Sequence, residues 1–377
     1  MVQFNLICVL LLAIFNATAS LTIENEFIQI GGEFKKPELG INGILSLIDV
    51  STVVVQQFNN SNQTYYLGGY NPAEDSILIY ELKNDGQFYL NGTLHKNDTE
   101  LYFRRAVNNG VITIVDIDYI TMNVKNEGEI YLISSIPGSS DTADLYLASN
   151  NLTCVHNTSV SISDESSGDG CIVLEDSDMR AGKQVNSWIC LGGQSEVRLD
   201  FTSNTTATVI KVANFGGKNT FMISGIANNG TVDPFEYREN RYLDVKPENA
   251  HDPMVFDIGP GYDSKSFKYE VGSHGNGVLR VSYPSASDLG NSCPCSCSSI
   301  SPVKVPGVVP TVIATTLKNS AATVVTSTAA IDTRPTTIGD IVTSATKTTS
   351  TSKDGVGKNA ASLLTTIMLI LSCLCII

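Results

Sequence analysis

Basic residues are scarce in this chain of 377 residues, which has 24 Lys and Arg against 38 Asp and Glu and a net charge of −14. The acidic excess is concentrated in the first 300 residues. An acidic surface repels phosphate backbones and anionic headgroups, so nucleic acid and anionic membranes are poor partners for it. We expect instead a soluble protein that works outside the cell.

Helical periodicity is also lacking, because no segment carries a sustained 3.6-residue apolar pattern with capping residues at its ends. Short runs of β-branched and aromatic residues recur instead between Asn, Asp and Gly turns, for example at 44–55, 76–82, 101–107 and 111–124. The sequence therefore predicts an all-β folded region.

Signatures of catalysis are few. No Gly-x-Ser-x-Gly elbow is present to expose a serine nucleophile. Asp116 and Asp118 alternate with apolar neighbours, which predicts two carboxylates on one strand face. Such a pair is compatible with Ca²⁺ binding, with glycoside hydrolysis or with a plain solvated face. The four histidines lie in unrelated polar contexts: His95, His156, His251 and His274. We expect no enzyme, no catalytic residue and no cofactor.

Two other charged segments could either bind a ligand or simply be exposed to solvent. Arg104 and Arg105 suit an anionic sugar, but adjacent strand residues are expected to point to opposite faces. The acidic loop Asp164–Gly170 lacks the spacing of an EF-hand, so a solvated turn is favoured over calcium.

Tryptophan is nearly absent, with Trp188 the single example. Aromatic side chains that bind sugars must be exposed, and the candidates are Tyr65, Tyr66, Tyr70, Tyr80 and Trp188. Tyr65 and Tyr66 follow two glycosylation sequons and so lie near a surface turn. Packing at a strand end is the favoured alternative for this pair.

The two ends of the chain are apolar. The run Leu6–Phe15 followed by Ala17-Thr18-Ala19 predicts a secretory signal over residues 1–19. The run Leu363–Ile377 has small residues upstream and predicts a removable signal for a glycosylphosphatidylinositol (GPI) anchor over 359–377. Asn359 is the preferred attachment residue, with Gly355 and Gly357 as alternatives.

Six cysteines remain after this processing, and secretion favours disulfides among them. They are Cys154, Cys171, Cys190, Cys293, Cys295 and Cys297. The sequence leaves their pairing open. Zinc is disfavoured at the Cys293-Pro-Cys295-Ser-Cys297 cluster, which we expect to staple the end of the folded region to the earlier cysteines, and no metal site is predicted.

Secretion also gives meaning to eight Asn-x-Ser/Thr sequons, since a modified asparagine must lie on an exposed turn. They are Asn59, Asn62, Asn91, Asn97, Asn151, Asn157, Asn204 and Asn229.

A weak repeat runs through the folded region, in which an acidic or amide residue precedes Gly and an apolar pair follows. Gly43, Gly86, Gly110 and Gly128 belong to it, and the last three are about twenty residues apart, close to one coil of a parallel β-solenoid. Asn-Gly corners would allow a left-handed turn in a solenoid. They also suit type I′ hairpins, so a Gly-rich hairpin sandwich stays open.

The composition changes after residue 300. Aromatics vanish, Ser and Thr become abundant and prolines recur, which predicts a disordered, O-glycosylated stalk over 301–358. We expect the folded region to divide into the repeat-bearing β region over 20–230, a β-helix if the repeat is a solenoid, and a small β unit with the cysteine cluster over 231–300.

The segment Phe256-Asp257-Ile258-Gly259-Pro260-Gly261-Tyr262-Asp263 resembles a signature of hyphally regulated cell-wall proteins of yeasts. The segments 171–176, 212–219 and 126–130 and the step Ile41-Asn42-Gly43 are similar to the N-terminal domain of that family. The resemblance implies a right-handed parallel β-helix followed by a small β-sandwich-like unit. It also implies display on a stalk that is fixed to the fungal wall through a GPI remnant.

The expected function is therefore that of a GPI-anchored fungal cell-wall glycoprotein that mediates adhesion or surface recognition. The expected partners are wall glucan through the GPI remnant, the plasma membrane before wall transfer, and host or abiotic surfaces or glycans. A structural coat protein and a polysaccharide-modifying enzyme are the alternatives. The stalk is short and lacks long tandem repeats, which departs from the family pattern and would leave the domain within the wall, where it could not adhere to outside surfaces.

Overall fold

The fold was analysed in a computed structural model. The structure describes residues 20–68, 75–93, 99–136, 141–163, 167–181, 185–200, 209–224, 235–245, 253–271, 278–284 and 289–297, together with two short strands further on. Residues 22–330 form one compact unit, and of a second unit, 1–21 and 331–377, only Ser20 and Leu21 are described. Every regular element in the described ranges is a strand. None of the described residues forms a helix long and apolar enough to cross a bilayer. The all-β prediction is therefore confirmed.

Two 13-stranded sheets make up the fold, and the first 21 strands alternate between them along the chain. Sheet A contains, in spatial order, β1 (Leu21–Ile23), β3 (Glu33–Ile41), β5 (Thr52–Asn60), β7 (Asp75–Asn84), β9 (Thr99–Asn108), β11 (Tyr119–Asn126), β13 (Thr142–Ser149), β15 (Ser159–Ile162), β17 (Asp178–Ala181), β19 (Glu196–Asp200), β21 (Thr220–Ser224), β26 (Leu279–Ser282) and β25 (Lys268–Val271). Sheet B contains β2 (Glu26–Ile30), β4 (Ile44–Ile48), β6 (Gln63–Leu67), β8 (Gln87–Asn91), β10 (Val111–Val115), β12 (Glu129–Ile133), β14 (Leu152–His156), β16 (Cys171–Glu175), β18 (Trp188–Gly192), β20 (Val209–Ala213), β24 (Met254–Asp257), β23 (Tyr242–Val245) and β22 (Phe235–Arg238).

Each coil of the chain contributes one strand to each sheet, and pairing between successive coils is parallel. This arrangement is a parallel β-helix, which confirms the solenoid and excludes the hairpin sandwich. Its right-handed sense stays a prediction. Inward side chains such as Leu101, Phe103 and Ile112 are buried between the sheets and form the core. Each coil by itself has too little apolar surface to fold, so stability comes from stacking.

The repeat glycines mark one corner of the coil, but the reason proposed for them is wrong. Gly43, Gly86 and Gly110 do not adopt a left-handed conformation. A Cβ atom on any of them would overlap the backbone of the preceding coil, at Asn25, Asn62 or Gly86. Glycine is needed there because successive coils approach closely.

Five left-handed residues that are not glycine lie at the opposite corner, directly after strands of sheet B. They are Asp49, Asp116, Asn157, Asp176 and Asn214, with φ between 48° and 59°. Asp and Asn tolerate this region better than other side chains because they can hydrogen-bond locally. In the sequence, the segments 44–55 and 111–124 each look like one continuous strand, although each contains parts of two strands with the corner between them. The corner was therefore missed.

A ladder of buried asparagines stacks the central coils. Asn60, Asn84, Asn108 and Asn126 end successive strands of sheet A, and each is at most 1% exposed. Nδ2 of one donates to Oδ1 of the next over 2.7, 2.7 and 2.8 Å, and Asn126 donates to Oγ of Ser149 over 3.2 Å. The coils are 24, 24, 18 and 23 residues long at these steps. Because the polar groups are satisfied, the ladder fixes the register without leaving buried donors unpaired.

The last five strands close the C-terminal end of both sheets. β26 and β25 extend sheet A by antiparallel pairing, whereas in sheet B β24 pairs parallel with β20 and β23 and β22 then add antiparallel. Phe215, Phe221 and Phe256 stack between the two layers with ring centroids 4.2 and 4.5 Å apart. These strands form the sandwich-like unit that was predicted, and they continue the helix without a break in either sheet. The predicted boundary at residue 231 stays a prediction.

The signature segment 256–263 holds this end together. Asp257 accepts hydrogen bonds from Arg241 over 2.9 and 2.7 Å and from Asn291 over 3.1 Å. Burial alone would raise the pKa of Asp257, but these hydrogen bonds outweigh it and hold the pKa below its usual value. The Tyr262 hydroxyl donates to the carbonyl of Phe215 over 2.8 Å. The segment therefore has a structural role.

In the predicted stalk the described residues are β27 (Ala314–Thr316) and β28 (Thr323–Val325), which pair antiparallel. The rest of the stalk, the signal segment 1–19, and the GPI candidates Gly355, Gly357 and Asn359 lie outside the described residues.

Candidate functional site

The outer faces of the two sheets differ. Along β9 and β11 of sheet A, exposed and buried residues alternate, so every outward side chain there meets solvent. The strands β8, β10 and β12 of sheet B are buried on both faces after their first residue. Along these coils, sheet A therefore presents the solvent-accessible outer face.

Three tyrosines on neighbouring strands form what we term the tyrosine platform of sheet A: Tyr102, Tyr119 and Tyr146. Their exposed fractions are 36%, 48% and 50%, high values for aromatic side chains. Tyr102 pairs with Thr121 in register, and Tyr146 pairs with Asn123 on the same strand, β11, that carries Tyr119. The rings thus share one solvent-facing surface on three adjacent strands.

A polar groove of about 350 Å³ continues from the platform across the next strands. Thr142, which pairs with Tyr119, lines its near side. Hydroxyls, carboxylates and guanidinium groups alternate along it: Thr142, Asp144, Ser159, Ser161, Asp178, Arg180, Glu196 and Arg198. Glu196 accepts from Arg280 at 2.7 Å and from Arg198 at 3.1 Å. Burial raises the pKa of Asp178, the charge of Glu196 raises it further, and Arg198 and Arg280 oppose them.

The chemistry of this surface suits a saccharide. Tyrosine offers an apolar ring face and a polar hydroxyl, so it can pack on a sugar ring and still hydrogen-bond. The groove supplies both donors and acceptors for hydroxyl groups. A ligand on an open surface of this kind would lie along it without being enclosed, unlike ligands in the concave sites typical of small molecules.

Arg104 and Arg105 also belong to this face, and the expectation that they point to opposite faces is wrong. The pairing of β9 with β11 shifts register there, so that the two arginines together oppose Asn123. Such a β-bulge places one extra residue on the outer side. Both arginines are exposed, and Arg105 pairs with Glu81 on β7.

The tyrosines proposed from the sequence as a sugar-binding face lie elsewhere. Tyr65 and Tyr66 are 5% and 1% exposed, so the packing alternative is confirmed. Tyr80 is half-buried on β7, and half-buried Trp188 packs against the cysteine cluster. Tyr70 lies outside the described residues. Strand alternation gives Tyr102, Tyr119 and Tyr146 outward positions, but buried Tyr65 also faces outward on its own sheet, so alternation alone could not single out the platform.

Asp116 and Asp118 do not share a strand face. Both lie at the corner between β10 and β11. Asp116 accepts hydrogen bonds from the hydroxyls of Thr93 and Ser135 and, over 2.6 Å, from the backbone amide of Ser135. Asp118 accepts one from the backbone amide of Thr99 over 2.8 Å. The two carboxylates thus tie neighbouring coils together, and the predicted placement of both on one strand face is wrong.

A second cleft, of about 650 Å³, lies beside the cysteine cluster and is lined by Glu175, Lys218 and several glycines. Burial raises the pKa of Glu175 to about 7, and the charge of Asp176 adds to this. His156, the register partner of Glu175, is buried, and burial lowers its pKa although Asp176 opposes this. Its Nε2 lies 3.1 Å from the Asn157 amide nitrogen. His95, His251 and His274 lie outside the described residues.

The six cysteines form three disulfides: Cys154–Cys297, Cys171–Cys295 and Cys190–Cys293. The Cα atoms are 6.0, 6.5 and 5.5 Å apart, within the usual range. Sulfur atoms of Cys171, Cys190, Cys293 and Cys295 lie within 4.8 Å of one another. As disulfides they offer no thiolate, which is the form that zinc binds. In the acidic loop, Asp169 is exposed and lies 3.9 Å from Lys211, and residues 164–166 are outside the described part.

The sequons separate into two groups. Asn59, Asn62 and Asn151 are exposed. Asn91 and Asn157 are only 3% and 8% exposed, which is at odds with a bulky glycan. Asn97, Asn204 and Asn229 lie outside the described residues. Occupancy of the sequons stays a prediction, with the three exposed sites favoured.

A comparison with curated proteins found no match. A family model described as hyphally regulated cell wall protein N-terminal matches residues 46–304, which cover the β-helix from its second coil through the closing strands and the cysteine cluster. Since this match spans more than half of the chain, the protein belongs to the hyphally regulated cell-wall protein family.

Proposed function

We propose that this cell-wall protein is a GPI-anchored adhesin that recognises saccharides or other surfaces through the exposed face of sheet A. The observation that carries the proposal is the tyrosine platform, three exposed aromatic rings on adjacent strands that continue into a polar groove. Exposed aromatics contribute strongly to binding when a ligand covers them. The proposed partners are host or abiotic surfaces and glycans, with wall glucan joined through the GPI remnant.

The proposed anchor agrees with this role. The predicted stalk would hold the face away from the membrane, and transfer of the GPI remnant to glucan would leave the domain in the wall. The plasma membrane would be an earlier, transient location. No step of this proposal requires an enzyme.

The test is adhesion of a non-adherent yeast that displays residues 20–361 with the native C-terminal signal. Cells are counted on plastic and on epithelial layers after washing, with a stalk-only strain as background. Replacement of Tyr102, Tyr119 and Tyr146 by serine is expected to reduce retention to that background. Surface expression is measured on the same cells with an antibody.

The matched control replaces three non-aromatic residues of the same face, in the variant Thr121→Ser, Asn123→Ser and Ala148→Ser. It is expected to retain cells as the unaltered protein does. If the unaltered domain retains no more cells than the stalk alone, adhesion is rejected for these surfaces. A coat protein without a specific ligand then becomes the better account.

A further inference from the structure

The outer face of sheet B is apolar and buried along most of the helix. We define its apolar face by Tyr65, Leu67, Tyr89, Val115, Tyr131 and Ile133, which are all 2–5% exposed. Residues paired in register on successive strands form one row across this face, in the order Tyr65, Tyr89, Thr113, Tyr131 and Cys154. Burial raises the pKa of Tyr89 to about 12, against the hydrogen bond with Asn91 that lowers it. Side chains with so little exposure on an outer face must be covered.

The described cover is short. Cys293, Cys295 and Cys297 pack on the same apolar cluster and are bonded to β18, β16 and β14 in that order. The segment thus crosses one strand of sheet B for every two residues and runs towards the N-terminal coils. Two fully extended residues span about 6.6 Å, which is more than the distance of about 4.8 Å between adjacent strands. A chain that is not fully extended can therefore cross one strand for every two residues.

The next strands on this face are β12, β10, β8, β6 and β4. A segment that crosses one strand for every two residues needs about ten more residues to cross these five strands. The sequence after Cys297 is Ser298-Ser299-Ile300-Ser301-Pro302-Val303-Lys304-Val305-Pro306-Gly307-Val308-Val309, with a single charged residue. The Thr-rich sequence begins only after it.

We infer that residues 298–309 continue the cysteine segment as an intramolecular strap that covers the apolar face of sheet B. Two-residue steps from Cys297 set Val303 opposite Tyr89 and Val305 opposite Tyr65. The occupant is this segment of the same chain because Cys297 already delivers it to the edge of the face. The stalk then departs beside the first coils of the helix, and sheet A remains the free face.

Cysteine crosslinking in the displayed full chain tests the inferred register. The variant Tyr89→Cys with Val303→Cys is expected to form a fourth, intramolecular disulfide, detected by mass spectrometry of non-reduced peptides. The control pairs Val303→Cys with Asn123→Cys on sheet A and is expected to give a several-fold lower yield. Equal yields, or a disulfide-linked dimer in place of the internal crosslink, would overturn the inference.

A second measurement avoids new cysteines. The variant Val303→Asp with Val305→Asp is expected to increase hydrophobic-dye fluorescence several-fold and to speed amide exchange in β6 and β8. Its control is Val312→Asp with Ile313→Asp, which lies past the end of the strap and is expected to behave as the unaltered protein. Unchanged dye binding and exchange in the first variant would show that another segment covers the face.

Discussion

At the residue scale, the buried asparagines replace apolar packing by a chain of hydrogen bonds. Each amide in the ladder both donates to and accepts from its neighbours, and Asn60, Asn84, Asn108 and Asn126 also donate to a backbone carbonyl of the following coil. A fully satisfied network of this kind is stable in a low-dielectric interior, but the loss of one member leaves several groups unpaired.

Asn108→Ala is therefore expected to lower the free energy of unfolding by about 3 kcal/mol, because the amides of Asn84 and Asn126 each lose a partner. Urea denaturation followed by fluorescence measures the change. The control Asn123→Ala removes an exposed amide from sheet A and is expected to change stability by less than about 0.5 kcal/mol. Similar losses in both variants would contradict a special role for the ladder.

Glu175 should give the protein a recognisable pH dependence. Its pKa is raised to about 7, so the folded state holds a proton that the unfolded chain releases near the ordinary value of 4.5. The free energy of unfolding therefore falls as the pH rises from about 4.5 through 7. Glu175→Gln is expected to make this fall smaller by about 1 kcal/mol, after allowance for solvent screening of a partly exposed group.

The measurement is the difference in unfolding free energy between pH 4.5 and pH 8, compared in the variant and the unaltered protein. His156 titrates in the opposite direction, since its lowered pKa costs stability as the pH falls. The contribution of His156 to the pH dependence is present in both proteins, so it cancels when the two are compared. An identical pH dependence in the two proteins would show that Glu175 ionises normally.

At the element scale, one corner of each coil is set by close backbone approach and the other by left-handed Asp and Asn residues. Gly110→Ala is expected to destabilise the fold by about 3 kcal/mol, because its methyl group would overlap the Gly86 carbonyl. Thermal unfolding of the secreted domain provides the measurement.

Gly40→Ala is the matched control on β3, since its nearest neighbouring atoms would lie 3.6 Å away on Thr22. We expect it to be neutral, because ordinary van der Waals distances are preserved. Equal destabilisation of the two variants would mean that glycine flexibility, and not close approach, is what the corner requires.

The sequence predicted the coil period from Gly86, Gly110 and Gly128, because close approach forces glycine at each of these repeats. It missed the opposite corner at Asp116, since a run of β-branched residues continues on both sides of it. The platform tyrosines were overlooked in favour of Tyr65 and Tyr66. Local alternation cannot show which outer face of a two-sheet helix is covered, because the cover comes from residues more than a hundred positions away.

At the scale of the whole molecule, the disulfides close very long loops, with sequence separations of 143, 124 and 103 residues. The Cys154→Ser, Cys297→Ser variant is expected to lose about 3 kcal/mol, because with Cys171–Cys295 intact this disulfide closes a further loop of only about 20 residues in the unfolded chain. Chemical denaturation at equal protein concentration measures it. The prediction fails if the double variant unfolds at the same denaturant concentration as the unaltered protein.

The same three disulfides decide how the domain responds to mechanical tension. A pull transmitted along the chain from beyond Cys297 enters the β-helix at Cys154, in the middle of sheet B. The closing strands lie between Cys190 and Cys293 in the sequence and are bypassed by this covalent path. Tension is thus shared by stacked coils with a continuous hydrogen-bond ladder, and the antiparallel end, which a direct pull could peel strand by strand, is shielded.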